Sequence, residues 1–203
     1  MTETQRHDAR RPPLAWRLAC ASGLAAAFFV LDRITKAIVR ATIMVDGPVP
    51  FIPGVLRLQF VANTGAAFSL GEGHGLVFVA FAVLVVAASI VYLWRAPSTA
   101  KLEVVGLGMV CGGAIGNAID RLAYGFVVDF FATEFIDFPV FNVADIGITV
   151  GVVLAFLGYL FFSPAAREVD ATAELNARDD VRAARKARKR GERSRRWREK
   201  NDR

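Results

Sequence analysis

Cysteine and histidine are scarce in this sequence of 203 residues, which contains two of each. Cys20 and Cys111 both fall within long apolar stretches, so cysteine spacing predicts neither a disulfide framework nor a metal cluster. His7 and His74 lie far apart, and the zinc peptidase motif H-E-x-x-H does not occur. The sequence therefore predicts no metal centre.

Charge is missing from long parts of the chain. Residues 75–94 are twenty consecutive positions without a charged side chain, and hydrophobic residues make up 54% of the sequence. At a rise of ~1.5 Å per residue, a helix of this length matches a hydrocarbon core of ~30 Å. Further apolar stretches at 16–39, 104–119 and 146–162 complete a prediction of four membrane-spanning helices.

The first apolar stretch has a second interpretation, as a cleaved signal peptide. Arginines precede it, and Ala19-Cys20-Ala21 contains small residues at a plausible spacing. The apolar region begins at Leu14 and continues well past Ala21, however, so a cut there would precede most of it. We therefore favour a spanning helix.

Lysine and arginine are distributed unevenly among the connections. They precede the first span, join the second to the third and follow the fourth, at Arg6, Arg10, Arg11, Arg17, Arg95, Lys101 and Arg167. In the connections 41–74 and 121–141, by contrast, most of the charged residues are acidic. Because basic flanks stay in the cytoplasm, both termini are predicted to be cytoplasmic and these two connections external.

The two ends of the chain differ from its apolar middle. Residues 1–15 form a short cytoplasmic flank, 16–162 contain the four helices, and 163–203 form a tail rich in Arg, Lys, Ala, Asp and Glu. We expect this tail to be solvated, and disordered or partly helical. The alternative is electrostatic binding to anionic lipid or to RNA.

The first external connection contains a strand pattern. Leu56, Leu58 and Phe60 alternate with Arg57 and Gln59, the period of two that is typical of a half-buried strand. The predicted fold class is therefore an all-α polytopic membrane protein. It has four transmembrane helices, a small external β-sheet platform and a basic cytoplasmic tail.

Glycine recurs every four residues in the third span, at Gly108, Gly112 and Gly116. This spacing places the glycines on one face of the helix, where a second helix can approach closely. We expect tight helix packing along that face.

Several spans also contain ionisable residues, which cost ~2.5 to 3.5 kcal/mol at the bilayer centre and persist where they face a partner or a polar cavity. Asp32 and Lys36 have the spacing of an intrahelical ion pair. Asn117, Asp120 and Arg121 share one helix face at spacings of three and four. The simplest interpretation of the charged residues is neutralising pairs within each set, near the interface.

Asp129 and Asp145 are predicted to meet at the external boundary of the bundle. Two carboxylates in one desolvated site share a proton, because they cannot both ionise cheaply. Such a pair supplies the acid and the base that peptide hydrolysis needs. Asn142 and Asp145 also have the spacing of a helix N-cap and its N3 partner, and Arg121 is a candidate partner for Asp129.

Five short segments stand in a fixed order along the four spans and their connections. They are D-R-I-T-K at 32–36, N-T-G-A-A-F at 63–68, G-G-A-I-G-N-A-I-D-R at 112–121, V-D-F at 128–130 and F-N-V-A-D at 141–145. Together they resemble the bacterial lipoprotein signal peptidase family, signal peptidase II. Each segment alone is weak evidence, but five in register over 16–162 are highly specific.

The resemblance implies an aspartic endopeptidase of the bacterial plasma membrane, active at the external face as a monomer, without a cofactor or nucleic acid. Its partners would be membrane lipids and prolipoproteins carrying diacylglycerol, which it would cut just before the lipidated cysteine. Asp129 and Asp145 would form the catalytic dyad. The residues that would line or support the site are Asn63, Gly65, Asn117, Asp120, Arg121, Asn142, Ala144, Asp32 and Lys36.

Two other functions fit an apolar chain with ionisable residues in its spans. A small ion- or proton-coupled transporter would use the buried Asp, Asn and Arg side chains as a relay. The sequence has no internal repeat between its first and second pair of spans, and its polar residues concentrate at one edge. A membrane-anchored interaction protein would depend on the tail, so deletion of 163–203 would separate it from a peptidase.

Overall fold

The computed structural model describes residues 12–65, 73–96, 99–162, 176, 178–183 and 186. Most of the predicted flank 1–15 and tail 163–203 therefore lies outside the described residues, although 178–183 are helical. In chain order the elements are α1 (Leu14–Ala41), α2 (Ile43–Asp46), β1 (Val49–Ile52), β2 (Leu56–Asn63), α3 (Gly75–Arg95), α4 (Lys101–Tyr124), β3 (Val127–Thr133) and α5 (Val143–Leu157), which a π-helical turn (Gly158–Phe162) extends.

Four helical segments among the described residues are long and apolar enough to cross a membrane: α1 with α2, α3, α4, and α5 with its π-helical turn. The predicted four-span fold class is therefore confirmed. The helices are longer than predicted, since α4 replaces a span at 104–119 and α5 begins before 146. Asp120 and Arg121 consequently lie inside a helix.

Local interactions fix both ends of α4 beyond the apolar run. At the first end, the Glu103 carboxylate accepts hydrogen bonds from the Ala100 backbone N–H at 2.8 Å and from the Tyr92 hydroxyl. At the other end Gly125 has a φ of 79°, the left-handed conformation that favours glycine, and its N–H donates to the Arg121 carbonyl. The helix therefore ends at this glycine cap and not where the apolar run ends, just before Asp120.

Helix α4 is the centre of the bundle and packs against α1, α3 and α5. Gly108 and Gly112 lie against the α1 backbone, where an added Cβ would stand 2.8 and 2.5 Å from carbonyl oxygens. Gly116, on the same face, lies against the carboxylate of Asp32. The predicted glycine face is therefore confirmed as the contact between α4 and α1.

A second set of glycines on α4 contacts α5. Gly106 faces the backbone of Gly151 and Ala155, and Gly113 faces the backbone of Ala144. The two helix backbones therefore approach too closely for any side chain at these positions. Because Ala144 belongs to the first turn of α5, this contact fixes where that turn stands.

The three strands form one antiparallel sheet in the order β1-β2-β3, at the end of the bundle where α1 and α4 finish and α3 and α5 begin. We call this the sheet end. Strand β2 confirms the strand predicted from the alternation at 56–60. It pairs with β3 so that Val61 lies opposite Asp129, and Asn63 opposite Val127.

Strand β3 lies within the connection 121–141, for which the sequence predicts only an external loop. Its residues 127–130 are all buried, so the strand lacks the alternation that reveals a half-exposed one. Val128 and Phe130 form a cluster with Val39 of α1 and Val143 of α5. The sheet is thus anchored to the ends of two helices.

Replacing Gly106 with alanine is expected to destabilise the protein by about 1–3 kcal/mol, because the new Cβ overlaps the α5 backbone. Gly23→Ala in α1 is the matched control, since nothing lies within 4 Å of a Cβ added there. Thermal unfolding of both variants in detergent micelles measures the difference. Equal stability would contradict the close packing of α4 on α5.

Candidate active site

Two acidic residues at the sheet end are joined by one asparagine. Asp129 lies in β3, and Asp145 lies in the first turn of α5, whose N-cap is Asn142. The Asn142 side-chain Nδ2 donates to Asp129 Oδ1 at 2.6 Å, and its backbone N–H donates to Asp145 Oδ2 at 3.0 Å. The structure therefore brings the two predicted acidic residues together on either side of a buried amide.

Asp129 is buried, with 2% of its surface exposed. Its second oxygen accepts a hydrogen bond from Asn63 Nδ2 at 2.8 Å, and the Gly65 N–H donates to Asn63 Oδ1 at 2.9 Å. Gly65 therefore orients Asn63 toward the carboxyl group. Burial, and next the nearby charge of Asp145, raise the pKa of Asp129 to about 7.

Arg121, the candidate partner of Asp129, forms different hydrogen bonds. It donates to the Gly65 carbonyl at 2.8 Å and to the Asn117 carbonyl at 3.4 Å. Among the described residues no hydrogen bond or ion pair joins Arg121 to Asp129, whose two oxygens accept from asparagines, but the two charges interact electrostatically. Arg121 instead joins the residues after β2 to α4, at the edge of the acidic pair.

Asp145 occupies the N3 position of α5 and forms the predicted capping box. Asn142 Oδ1 accepts a hydrogen bond from the Asp145 N–H at 3.0 Å, and the Asn142 N–H donates back to the carboxylate. The other carboxylate oxygen accepts from Asn117 Nδ2 at 2.8 Å. The capping prediction is confirmed, and the positive end of the helix favours a negative charge at this position.

Four charged side chains, Asp32, Arg33, Lys36 and Asp120, form an ion cluster between α1 and α4. Lys36 Nζ lies 2.9 Å from Asp32 Oδ2 and 3.0 Å from Asp120 Oδ2, and Arg33 pairs with Asp120 Oδ1. The predicted pair of Asp32 with Lys36 is confirmed. The expected pair of Asp120 with Arg121 is wrong, because both cations of Asp120 come from α1. The role of Arg33 was not predicted, although this residue stands in the segment D-R-I-T-K.

The ion cluster is tied to both segments that carry the acidic pair. Asp32 Oδ1 accepts a hydrogen bond from the Ala144 N–H at 3.1 Å, and Asp120 Oδ2 accepts one from the Val128 N–H at 3.2 Å. Each of these backbone groups stands one residue before a member of the acidic pair. The cluster therefore fixes the backbone that positions both carboxyl groups.

An apolar groove of about 580 Å³ begins at the acidic pair. Polar residues line one end of it, and Val127 and residues 138–141 also contribute. Three helices form most of the remaining wall, at Phe78, Phe81, Ala82 and Val85 of α3, Val110 and Ala114 of α4, and Ile148 and Val150 of α5. Concave apolar sites with a few convergent polar groups are typical of ligand binding. The sequence does not predict this groove, because the residues of its walls are far apart in the chain.

Proton transfer between two carboxyl groups is the chemistry that this arrangement makes available. Two carboxyl groups held by the side chain and the backbone N–H of one residue, in a partly desolvated site, can share a proton near neutral pH. Among the described residues, no group of three His, Cys, Asp or Glu side chains could hold a metal ion. The two carboxyl groups thus meet at the end of an apolar groove.

The chain is similar to known proteins over most of its length. The family model described as signal peptidase (SPase) II matches residues 24–161. This chain belongs to the signal peptidase II family. The lipoprotein signal peptidase of Symbiobacterium thermophilum is 47% identical over 136 residues, which cover 66% of this chain and 90% of that relative. The family indicated by the five sequence segments is therefore confirmed.

Other members and solved structures agree with the signal peptidase II assignment. The lipoprotein signal peptidase of Geobacillus kaustophilus is 42% identical over 142 residues, covering 69% of this chain and 92% of that protein. Two solved structures described as bacterial membrane enzymes have TM-scores of 0.65 and 0.63 at 30% and 29% identity. The matched regions cover 69% and 70% of this chain, and 87% and 93% of the respective solved chains. The chain is thus a multi-pass membrane protease of this family.

The raised pKa of Asp129 predicts a pH-dependent stability. Folding raises this pKa from 3.8 to about 7, so the residue favours the folded state at low pH and loses that contribution as the pH rises through this range. Asp129→Asn cannot ionise, so we expect it to gain stability relative to the wild type between pH 3.8 and about 7. Thermal unfolding of both proteins across this range measures the difference.

The exposed Asp46 supplies the control for this measurement. Asp46→Asn makes the same chemical change at a carboxyl group in contact with solvent, so its stability should follow that of the wild type. If the thermal stability of Asp129→Asn also changes with pH as that of the wild type does, the raised pKa of Asp129 is contradicted.

Proposed function

We propose that this chain is an aspartic endopeptidase that removes the signal peptide from diacylglyceryl-modified prolipoproteins, cutting just before the lipidated cysteine. The observation that carries the proposal is the pair of carboxyl groups, one buried and one partly buried, that Asn142 joins at the end of an apolar groove. The names of the relatives, lipoprotein signal peptidase, agree with it.

The acidic pair supports direct attack of water on an amide. An ionised carboxylate draws a proton from water as the water oxygen bonds to the carbonyl carbon, and a protonated carboxyl group hydrogen-bonds the carbonyl oxygen. A pKa of about 7 for Asp129 is consistent with one proton held by the pair near neutral pH. Asp129 and Asp145 are therefore the proposed catalytic dyad.

The groove supports a lipid-modified substrate. Its walls on α3, α4 and α5 are apolar, so acyl chains bound along them would be removed from water and would place the adjoining peptide at the dyad. The polar end of the groove, formed by Asn63, Asn117 and Arg121, is available to the peptide backbone. Binding of the lipid would thus align the scissile bond.

The proposed orientation places the sheet end at the external face of the bacterial plasma membrane and both termini in the cytoplasm. Arg17 near the start of α1, Arg95 at the end of α3 and Lys101 at the start of α4 all lie at the opposite end of the bundle, as expected for cytoplasmic flanks. Membrane lipids are the surrounding partners, and the proposed unit is a monomer that requires neither cofactor nor nucleic acid.

The transporter alternative receives no comparable support. The ion cluster and the acidic pair both lie at the sheet end, and α4 carries no charged side chain between Glu103 and Asp120. A relay across the membrane needs polar groups spaced along the whole path. Over this stretch the central helix of the bundle supplies no charged group, and its polar side chain Asn117 lies at the sheet end with the acidic pair.

Cleavage assays on the full chain in lipid bilayers test the proposal. The wild type is expected to cleave a prolipoprotein that carries diacylglycerol and to leave its unmodified precursor intact. Asp129→Asn and Asp145→Asn should each lower the rate by about a hundredfold or more, because each removes the acid or the base.

Asp46→Asn is the matched control, since it makes the same substitution at an exposed carboxyl group outside the site. It should cleave like the wild type. Full activity in either dyad variant would contradict the catalytic roles, and equal cleavage of the unmodified precursor would contradict recognition of the lipid.

A further inference from the structure

Lys36 makes a contact that charge neutralisation does not require. Its ammonium group is buried, with 1% of the side chain exposed, and pairs with two carboxylates of the ion cluster, Asp32 and Asp120. Asp120 has a second cation, Arg33, so the cluster is balanced at two positive and two negative charges. Lys36 Nζ nevertheless also donates to Asn117 Oδ1, at 2.8 Å.

This contact fixes the orientation of the Asn117 amide. Its oxygen accepts hydrogen bonds from Lys36 Nζ and, at 3.1 Å, from Asn142 Nδ2. Its nitrogen consequently faces Asp145 and donates to Oδ1 at 2.8 Å. A flipped amide would place N–H groups against two donors and an oxygen against a carboxylate, which is unfavourable at all three contacts.

The two members of the dyad therefore differ in their donors. Asp145 accepts one hydrogen bond from an amide polarised by a buried ammonium group, and another from a backbone N–H at a helix N-terminus. Asp129 accepts from the side chains of Asn63 and Asn142. Among the described residues, the oxygens of those two amides accept hydrogen bonds from the backbone N–H groups of Gly65 and Asp145 and from no cation.

We infer that Lys36 is a positioning residue, which acts through Asn117 to hold the negative charge of the dyad on Asp145 and so leaves the shared proton on Asp129. This inference rests on the proposed function. The pKa of about 7 at Asp129, caused first by burial and then by Asp145, agrees with it.

The inference assigns each proton in the reaction. As the water oxygen bonds to the carbonyl carbon, Asp145 takes a proton from the water and Asp129 gives its proton to the carbonyl oxygen. When the carbon–nitrogen bond breaks, the proton on Asp145 passes to the nitrogen, and Asp129 recovers a proton from one hydroxyl of the diol. The products are a carboxylic acid and an amine, and both carboxyl groups return to their starting state.

Other charged groups face the dyad and its relay. From α1 these are Asp32 and Arg33, and from α4 they are Asp120 and Arg121. Asp32 and Asp120 pair with Lys36, and Arg33 pairs with Asp120. These three side chains therefore do not contact the Asn117 amide directly. Arg121 and Lys36 each interact electrostatically with both members of the dyad, so neither charge alone distinguishes them. The difference lies in the Asn117 amide, which Lys36 orients and which donates to Asp145.

The test is the pH dependence of kcat/KM for cleavage of a diacylglyceryl-modified prolipoprotein, whose low-pH limb reports ionisation of the base. Lys36→Gln and Asn117→Ala should each move this limb upward by about one pH unit, because the ionised base loses stabilisation. Arg33→Gln is the matched control: it disturbs the same ion cluster without touching Asn117 and should leave the limb in place.

Combining the two changes tests the route through Asn117. If Lys36 acts through the amide, Lys36→Gln adds no further shift once Asn117 is alanine, so the double variant should match Asn117→Ala alone. If Lys36→Gln does not fold, the charge-balanced pair Asp32→Asn with Lys36→Gln replaces it in both comparisons.

An unmoved low-pH limb in the folded Lys36 variant, or additive shifts in the double variant, would overturn the inference while wild-type cleavage and its loss in the dyad variants remain. A wild type that does not cleave, or a dyad variant that does, would overturn the proposed function instead. The two failures are therefore distinguishable.

Discussion

The contact on which this structure depends is the double hydrogen bond from the buried Asn142 to two carboxyl groups, of which Asp129 is buried and Asp145 partly buried. A side-chain amide holds Asp129 on a strand, and the backbone N–H of the same residue holds Asp145 on a helix. Because Asn142 is also the N-cap of α5, the geometry of the acidic pair is coupled to the position of that helix. The α4–α5 packing and the sheet serve to bring these pieces to one place.

The charged side chains beside this site must be removed from water, and their pairing in the ion cluster offsets that free-energy cost. Removing carboxylates from water costs several kcal/mol per ion unless each is paired and hydrogen-bonded. Lys36 and Arg33 pair with Asp32 and Asp120, whose remaining bonds go to backbone N–H groups beside the acidic pair. The cluster thus neutralises its own charges and also positions the segments that carry the dyad.

Local sequence signals predicted those features whose partners are near in the chain. The apolar runs gave the four spans, the alternation at 56–60 gave β2, and the spacing of Asn142 and Asp145 gave the capping box. The strand β3, the α1 partners of Asp120, the partners of Arg121 and the groove were missed. Each depends on residues that come together only when α1, α4 and α5 pack, and no local spacing specifies which buried cation reaches which carboxylate.

Cleavage of the lipidated prolipoprotein by Asn142→Ser tests the central claim most directly. Serine is as good an N-cap as asparagine, so α5 should remain folded. Its hydroxyl is too short to reach both helix N–H and Asp129, so the bridge between the carboxyl groups is lost. We predict that the variant folds with a loss of stability of about 1–3 kcal/mol, because buried acceptors lose a donor, and that cleavage falls by about a hundredfold or more. Cleavage at the wild-type rate by the folded variant would contradict the account.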